Sequence, residues 1–519
     1  MGRNSHDPRI RTSPGEIVDI DVIRQTIDIK RKSTSQPPDC TALIPDDIVD
    51  AKPAKGSLMR LAQWVADHSI SAPGPLQACR DLLQRKPPQA LHEPIPVLID
   101  EDQQLTPATR DLVLSLVSQP AALPIQGPPG SGKTFTAAKM ILELVKEGHR
   151  VGVTAVSHKV IVNLLEELCR LKQSGDKSFR VIQKITDKKE EQACTADSVD
   201  VATNNAEVVE ALSSKQAQIA AGTAWLWACE DMANSVDVLF VDEAGQMSLA
   251  NTLAIGQAAT SMVLLGDPQQ LDQPKRGLHP PGTEVSALGH ILAGEKTIKP
   301  TQGLFLAQTF RMHPAVCSFI SEMFYDNLLL SRPENATQRI LCNGPLAASG
   351  LRFVPVIHEG NQNESAEEGE AVLALITNLL AQGAQWTDKH GNTHLLRARD
   401  FLVVAPYNAQ VAALTALLPP GVRVGTVDKF QGQQAPIVIY SMATSSPEDA
   451  PRGMEFLYSL NRLNVAVSRA QTLAILVASP ALFHVPCNTP RQIELVNAFC
   501  RYMEIARPPV PWRMQAAAR

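Results

Sequence analysis

The sequence predicts an α/β protein built on two successive sets of buried parallel strands, and three observations carry that expectation. From about residue 100 to 305, short apolar runs alternate with helical stretches: Ala121–Gln126, Val151–Val156, Val236–Val241 and Ser261–Leu265, each with polar residues at its C-terminal end. Strands covered on both faces read as unbroken apolar runs, and open α/β sheets take their ligands at the carboxyl ends of such strands. The first run leads through a glycine-rich turn, Gly127–Thr134, into a helical pattern over Phe135–Glu147 that Gly148 closes. A second strand set follows from about 306 to 485: Leu351–Ile357, Phe401–Ala405, Val422–Val427, Pro436–Ser441 and Thr472–Ala478, with no second phosphate loop.

The remaining segments are placed around these two sets. Val18–Lys32 alternates apolar and polar residues with period two, which predicts strands or a hairpin. Helices are expected over Ser57–His68 and Leu76–Gln84. The polar, Lys- and Ala-rich segment of about 170–222 lacks strand signals and reads as a mostly helical insertion. Pro490–Ala506 predicts a last helix before a proline-rich tail. No repeat of solenoid period occurs.

Composition excludes several classes. At 519 residues and 44% hydrophobic content the chain has apolar material for several cores, so a disordered or fibrous protein is ruled out. No apolar run approaches the roughly 18 residues of a membrane span. The first residues lack the apolar core of a secretory signal, so the cytoplasm is the default compartment. The nine cysteines include no CxxC pair, and His279, His290, His390 and His394 lack partners at metal-ligand spacing. A net charge of -5 gives no global nucleic-acid footprint and leaves room for a local basic channel. The basic run Lys30-Arg31-Lys32 and the basic residues of Arg170–Lys189 read as solvated faces.

Chemistry concentrates in four places. Gly127-Pro128-Pro129-Gly130-Ser131-Gly132-Lys133-Thr134 fits G-x-x-x-x-G-K-[ST] in full: glycines let backbone N–H groups wrap phosphates, Lys133 reaches the outer ones, and the Thr134 hydroxyl helps hold Mg²⁺. The strand Val236–Val241 delivers Asp242 to the metal shell and Glu243 to the attacking water. Val263–Leu265 runs into Gly266–Leu271, where a glutamine is placed to sense the γ-phosphate beside Glu243. Phosphoryl transfer also needs positive charge on the transferring group, and one lysine is rarely enough. Arg311, in Thr309–Pro314, and Arg469, in Asn461–Ala470, stand in suitable contexts, and Phe310 is placed either to stack on a base or to fill a core.

The motifs GPPGSGKT, DEAGQ, GDPQQLDQP, TFRMHP, VDKFQGQ and NRLNVAVSRA occur in this order across about 340 residues. Together they resemble motifs I to VI of superfamily 1 helicases, in the group containing the RNA helicase of nonsense-mediated decay. More narrowly the chain is similar to the helicase half of bacterial proteins with an N-terminal RecB-like nuclease, to which Ser157-His158-Lys159 and Pro406-Tyr407-Asn408 also fit. The resemblance implies two tandem RecA-like P-loop domains, 101–305 and 306–519, preceded by a partial β-barrel and stalk segment over 1–100. ATP would lie in the cleft between them. The first domain would supply Lys133, Thr134, Asp242, Glu243 and Gln270; the second would supply Arg311 and Arg469 as arginine fingers, with Phe310 on the adenine. A single strand would cross both domains, held near Ser157 and His158 on one side and near Tyr407, Thr426, Asp428 and Gln431 on the other. Movement in this group is typically 5′ to 3′.

Three departures from the family pattern bear on function. Thr109 stands where an adenine-reading Gln is expected, and a hydroxyl cannot make the paired contacts of an amide. Gln434 stands where motif V usually has Glu. No nuclease domain is expected before residue 1, and the barrel is expected to be truncated. Two functions fit these residues: an ATP-dependent single-strand translocase or helicase, and an ATP-gated nucleic-acid clamp that hydrolyses without unwinding. The expected partners are single-stranded nucleic acid, DNA ahead of RNA, and a nuclease on a separate chain; no membrane is expected, and the expected state is a monomer.

Overall fold

The computed structural model describes residues 5–6, 15–21, 26–31, 44–45, 51–172, 179–186, 192–271, 280, 282–430, 432–506 and 508–510. Two compact units divide between Lys52 and Pro53. In the first, Glu16–Asp21 pairs antiparallel with Thr26–Lys30, the hairpin that period-two alternation predicts.

The second unit contains two parallel sheets. In the first, the strands lie in the order Leu304–Phe305, Ala122–Gln126, Ala259–Gly266, Val236–Val241, Val151–Thr154, Ile219–Ala221, Val181–Lys184 and Val199–Ala202, every neighbouring pair parallel. Successive side chains of a strand point to opposite faces, so its central strands feed two cores. Val236, Leu239 and Val241 join one core, with Cys79, Leu82, Val208, Leu253 and Leu288 from helices on that face. Val238 and Phe240 join the other, with Leu112, Leu116, Ile141, Leu144 and Leu164. Burying each such side chain is worth about 1.5–3 kcal/mol, which is why the sequence shows unbroken apolar runs here.

The second sheet has the order Gly350–Pro355, Ala470–Ala478, Ala435–Ser441, Phe401–Val404 and Arg423–Gly425, again all parallel. Val438 and Tyr440 pack against the helices Pro314–Phe324, Leu460–Ser468 and Pro490–Ile505, whereas Ile437 and Ile439 face Ala366–Ala381 and Asn408–Leu417. Among the described residues, no helix is long and apolar enough to cross a membrane, and no cluster of His, Cys, Asp or Glu could hold a metal ion.

One expectation is corrected. The segment 170–222 is not a mostly helical insertion: it supplies three strands of the first sheet, Val181–Lys184, Val199–Ala202 and Ile219–Ala221, around the helix Asn205–Ser213. These strands are three or four residues long, and the outermost exposes Asp200 and Val201, so no continuous apolar run marks them. The helices of 51–84 fall almost wholly in the second compact unit. They pack on the first sheet's domain, where Leu61, Ala78 and Cys79 are buried and Ser57 Oγ donates to Ala254 O at 2.7 Å. Arg80 fixes the connection between these helices, donating to the carbonyls of Ile70 (2.9 Å) and Gly74 (3.0 Å) with its guanidinium 4.1 Å from the Trp64 ring.

Candidate active site

The phosphate loop leaves the buried strand Ala122–Gln126, and Gly127 N donates to Gly266 O at 2.9 Å, tying it to the neighbouring strand. Gly130 and Gly132 take left-handed φ values of 73° and 82°, which side-chain-bearing residues adopt only at a cost. A Cβ on Gly130 would lie 2.6 Å from Arg311 Cβ, so glycine here is what lets the chain after the first sheet close onto the loop. That closure is hydrogen-bonded: Phe310 N donates to Gly130 O at 2.8 Å, and Thr309 Oγ1 to Pro129 O at 3.0 Å. Lys133 opens the helix Lys133–Lys146, and its ammonium donates to Gly127 O at 2.6 Å. Ser131 Oγ is buried without a hydrogen-bond partner. A buried donor set of this kind, at a helix start beside a lysine, suits a phosphate group.

Beside the loop, Asp242 follows Val236–Val241 and is buried, and its Oδ1 accepts from Glu243 N at 2.8 Å. Burial first, and then the charge of Glu243, push the Asp242 carboxyl up to about 7. Glu243 itself holds a left-handed φ of 56°, a strained conformation for a non-glycine residue and one that recurs at functional sites. Asp267, at the end of Ala259–Gly266, is also buried and accepts three hydrogen bonds: Gln270 Nε2 at 2.8 Å, Tyr325 OH at 2.6 Å and Gln269 N at 3.1 Å. Burial raises its carboxyl, while the Lys133 charge and these donors hold it down.

The second sheet's domain brings in two arginines. Arg469 ends the helix Leu460–Ser468 and is buried, donating to Gln270 Oε1 at 3.3 Å and Val465 O at 3.3 Å. Arg311 donates to Gln434 Oε1 at 2.8 Å and to Ser468 O at 2.9 Å. Burial first, and then the Arg469 charge, pull Arg311 down to about 9; burial pulls Arg469 down to about 10 against the charges of Glu243, Tyr325 and Asp267. Neither guanidinium is paired with a carboxylate among the described residues. Phe310 is half exposed beside Gly132, and the Arg332 guanidinium lies 5.0 Å from its ring.

Residues that motif reading did not single out join the two domains. The Tyr325 hydroxyl, buried at the end of Pro314–Phe324, bridges Asp267 and Asn464, whose Nδ2 lies 2.9 Å from it and 2.8 Å from Gln269 O. Asn461 Nδ2 donates to Pro268 O at 3.1 Å and to Gln270 O. Asn464 lies inside a motif already marked by its arginine, so a polar residue on the buried face of that helix was the available signal. Tyr325 carries none beyond an aromatic at the end of an apolar helix.

The expected strand-facing residues fall at the carboxyl ends of both sheets. Ser157 is exposed after Val151–Thr154, and its hydroxyl caps the helix His158–Leu171 by accepting from Val160 N at 3.4 Å. His158 Nδ1 is buried without a partner, and burial, then Lys184, hold that imidazole below its ordinary value. On the second sheet, Tyr407 follows Phe401–Val404 and Thr426 follows Arg423–Gly425, strands that pair directly. Tyr407 is buried, with its ring 5.4 Å from that of Phe456. Thr426 is half buried; Asp428 is exposed, 3.7 Å from Arg462 Nη1. Gln431 lies outside the described residues. Thr109 is buried with its hydroxyl 2.8 Å from Thr106 Oγ1, engaged at the start of its own helix.

Two families, each described as an AAA domain, match the chain at residues 104–279 and 287–481. DNA polymerase alpha-associated DNA helicase A of Schizosaccharomyces pombe is 26% identical over 416 residues, covering 66% of this chain and 59% of that protein. DNA-binding protein SMUBP-2 of Mesocricetus auratus is 25% identical over 491 residues, covering 82% and 47%. The protein named "Probable RNA helicase armi", of Drosophila melanogaster, is 27% identical over 431 residues, covering 69% and 35%. The chain thus spans about half the length of the curated relatives it matches, and their names divide between DNA and RNA.

Proposed function

We propose, on the premise that the chain is similar to superfamily 1 helicases in both its motifs and its matches, that it is an ATP-dependent translocase or helicase on single-stranded nucleic acid. DNA is favoured as the strand, with movement 5′ to 3′. One observation supports this most: two guanidiniums from the second domain, Arg469 buried against Gln270 and Arg311 partly buried beside Gly130, stand next to the first domain's site without a salt bridge to any carboxylate among the described residues. Buried cations need an anion, and a triphosphate between the domains supplies it.

ATP with Mg²⁺ supplies the transferable phosphoryl group and a Lewis acid when bound. The chain's own residues do the rest. Lys133 leaves Gly127 O and, with the backbone N–H groups of the loop and Ser131, holds the outer phosphates. Thr134 and Asp242 are the metal-holding residues. Glu243 orients the attacking water and takes its proton. Gln270 reads the γ-phosphate, and Arg311 and Arg469 stabilise charge developing on it. Phe310 stacks on the base. Because Asn461, Asn464 and Arg469 all grip the 268–270 segment, closing and opening around the nucleotide would move the second domain against the first. Ser157, His158, Tyr407, Thr426, Asp428 and Gln431 would alternate their grip on the strand.

A second reading, an ATP-gated clamp that hydrolyses without unwinding, is kept by Gln434, which stands where the family pattern has Glu and accepts from Arg311 Nε at 2.8 Å. We also propose that the chain acts as a monomer in the cytoplasm and works with a nuclease on a separate chain, a reading supported by the narrower likeness of its motifs to nuclease-fused bacterial proteins. The test is steady-state ATP hydrolysis with no strand, with oligo-dT and with oligo-U. Stimulation by oligo-dT supports the reading, stimulation by oligo-U alone moves the substrate to RNA, and hydrolysis indifferent to both overturns strand coupling.

A further inference from the structure

Phe456, half buried on the short helix Gly453–Leu457, has two guanidiniums over its ring: Arg452 at 4.2 Å and Arg462 at 4.4 Å from the centroid. The Tyr407 ring lies 5.4 Å away, tilted by 35°. A cation over an aromatic face is held by the ring's quadrupole, which fixes the guanidinium plane while leaving its N–H edge free to donate. Two like charges held by one ring repel each other, and the nearest compensation is slight. Asp428 Oδ2 is 3.7 Å from Arg462, Glu455 faces Arg491 at 3.6 Å, and Asp449 accepts from Ser446 Oγ at 2.7 Å. Arg452 is exposed. The group adjoins Tyr407, beyond the carboxyl end of Phe401–Val404, and Asp428, beyond that of Arg423–Gly425.

We infer that Arg452 and Arg462, held over Phe456, form a phosphate clamp for the single strand on the second domain. The inference rests on the proposed function and names the residues that hold the strand's backbone there. Guanidinium edges match phosphate oxygens, and such contacts position a strand without reading its sequence. The clamp also has a route to the nucleotide. Arg462 and Arg469 stand at the two ends of one helix, about 10 Å apart at 1.5 Å per residue.

The test uses the full chain, fluorescent oligo-dT and oligo-U of mixed lengths, and affinity measured across a salt series. Arg452→Gln changes an exposed residue, so its melting temperature should match the wild type. It should weaken binding to both strands alike and make the slope of log affinity against log salt shallower by about 0.7, the value for one phosphate that the arginine no longer neutralises. Phe456→Leu, which keeps the apolar bulk and both charges but removes the ring that orients them, should weaken binding to both strands while leaving the salt slope close to the wild type. Wild-type affinity and slope in Arg452→Gln would overturn the clamp while leaving the proposed function standing. A wild-type chain that binds neither strand would overturn the proposed function, and the clamp with it.

Discussion

Tyr325→Phe isolates one hydroxyl in the network that joins the two domains. The ring stays, still packed 6.3 Å from Phe305, and only two hydrogen bonds go: the donation to Asp267 at 2.6 Å and the acceptance from Asn464 at 2.9 Å. Neither partner is orphaned. Asp267 keeps Gln270 Nε2 and Gln269 N, and Asn464 keeps Gln269 O. The expected loss is therefore the net worth of one bond to a charged acceptor, about 1.5–3 kcal/mol, plus about 1 kcal/mol for the neutral one. Urea unfolding should show a loss of about 2.5–4 kcal/mol. Hydrolysis should change too, in a particular way. The hydroxyl is one of the groups holding the Asp267 carboxyl down against burial, so its removal raises that carboxyl further and shifts the acid limb of the rate profile to higher pH. A variant with wild-type stability and an unmoved acid limb would refute the argument that this hydroxyl couples the domains.

Three further outcomes follow from the site. Lys133→Ala should abolish hydrolysis and spare the fold, since the ammonium's hydrogen bond goes to its own loop; near-normal turnover with an unchanged circular-dichroism melt would reject the site. Gln434→Glu should turn the Arg311 contact into an ion pair, slowing turnover several-fold with little change in the KM for ATP; a faster enzyme would show that Gln434 does not hold Arg311 back. Asp242, raised to about 7 from 3.8, takes up a proton on folding. Its contribution to stability is therefore fully present below about pH 3.8 and lost as pH rises through about 7, an effect of up to about 4 kcal/mol in protein free of nucleotide and metal. Asp242→Asn should remove that dependence in urea midpoints taken from pH 5 to 8, and an unchanged profile would contradict the assignment.

Much of the fold was legible because both sheets are buried on two faces. Val236–Val241 feeds a core on each side, so it appears in the sequence as an uninterrupted apolar run at the expected place. Val199–Ala202 and the three-stranded antiparallel sheet of Arg339–Leu341, Gln385–Thr387 and Thr393–Leu395 did not, because short strands with exposed residues need no apolar run. The site divides in the same way. Gly127–Thr134 and Asp242-Glu243 are contiguous and follow strands, so spacing alone exposes them. Tyr325, by contrast, reaches Asp267 across 58 positions of sequence, and Gln434 reaches Arg311 across 123. The first contact is set by how two domains pack and the second by how distant segments of one domain meet, and no local pattern records either.

The central claim is that arginines of the second domain act on a nucleotide held by the first, and Arg469→Ala tests it most directly. The measurement is single-turnover and steady-state ATP hydrolysis alongside equilibrium binding of a fluorescent ATP analogue. The account predicts a fall in kcat of about 10³-fold or more, the scale of an arginine finger, with analogue affinity changed by less than tenfold. A variant whose only defect is a higher KM, with kcat intact, would mean that Arg469 serves binding and that the two domains do not meet over the transferring phosphate.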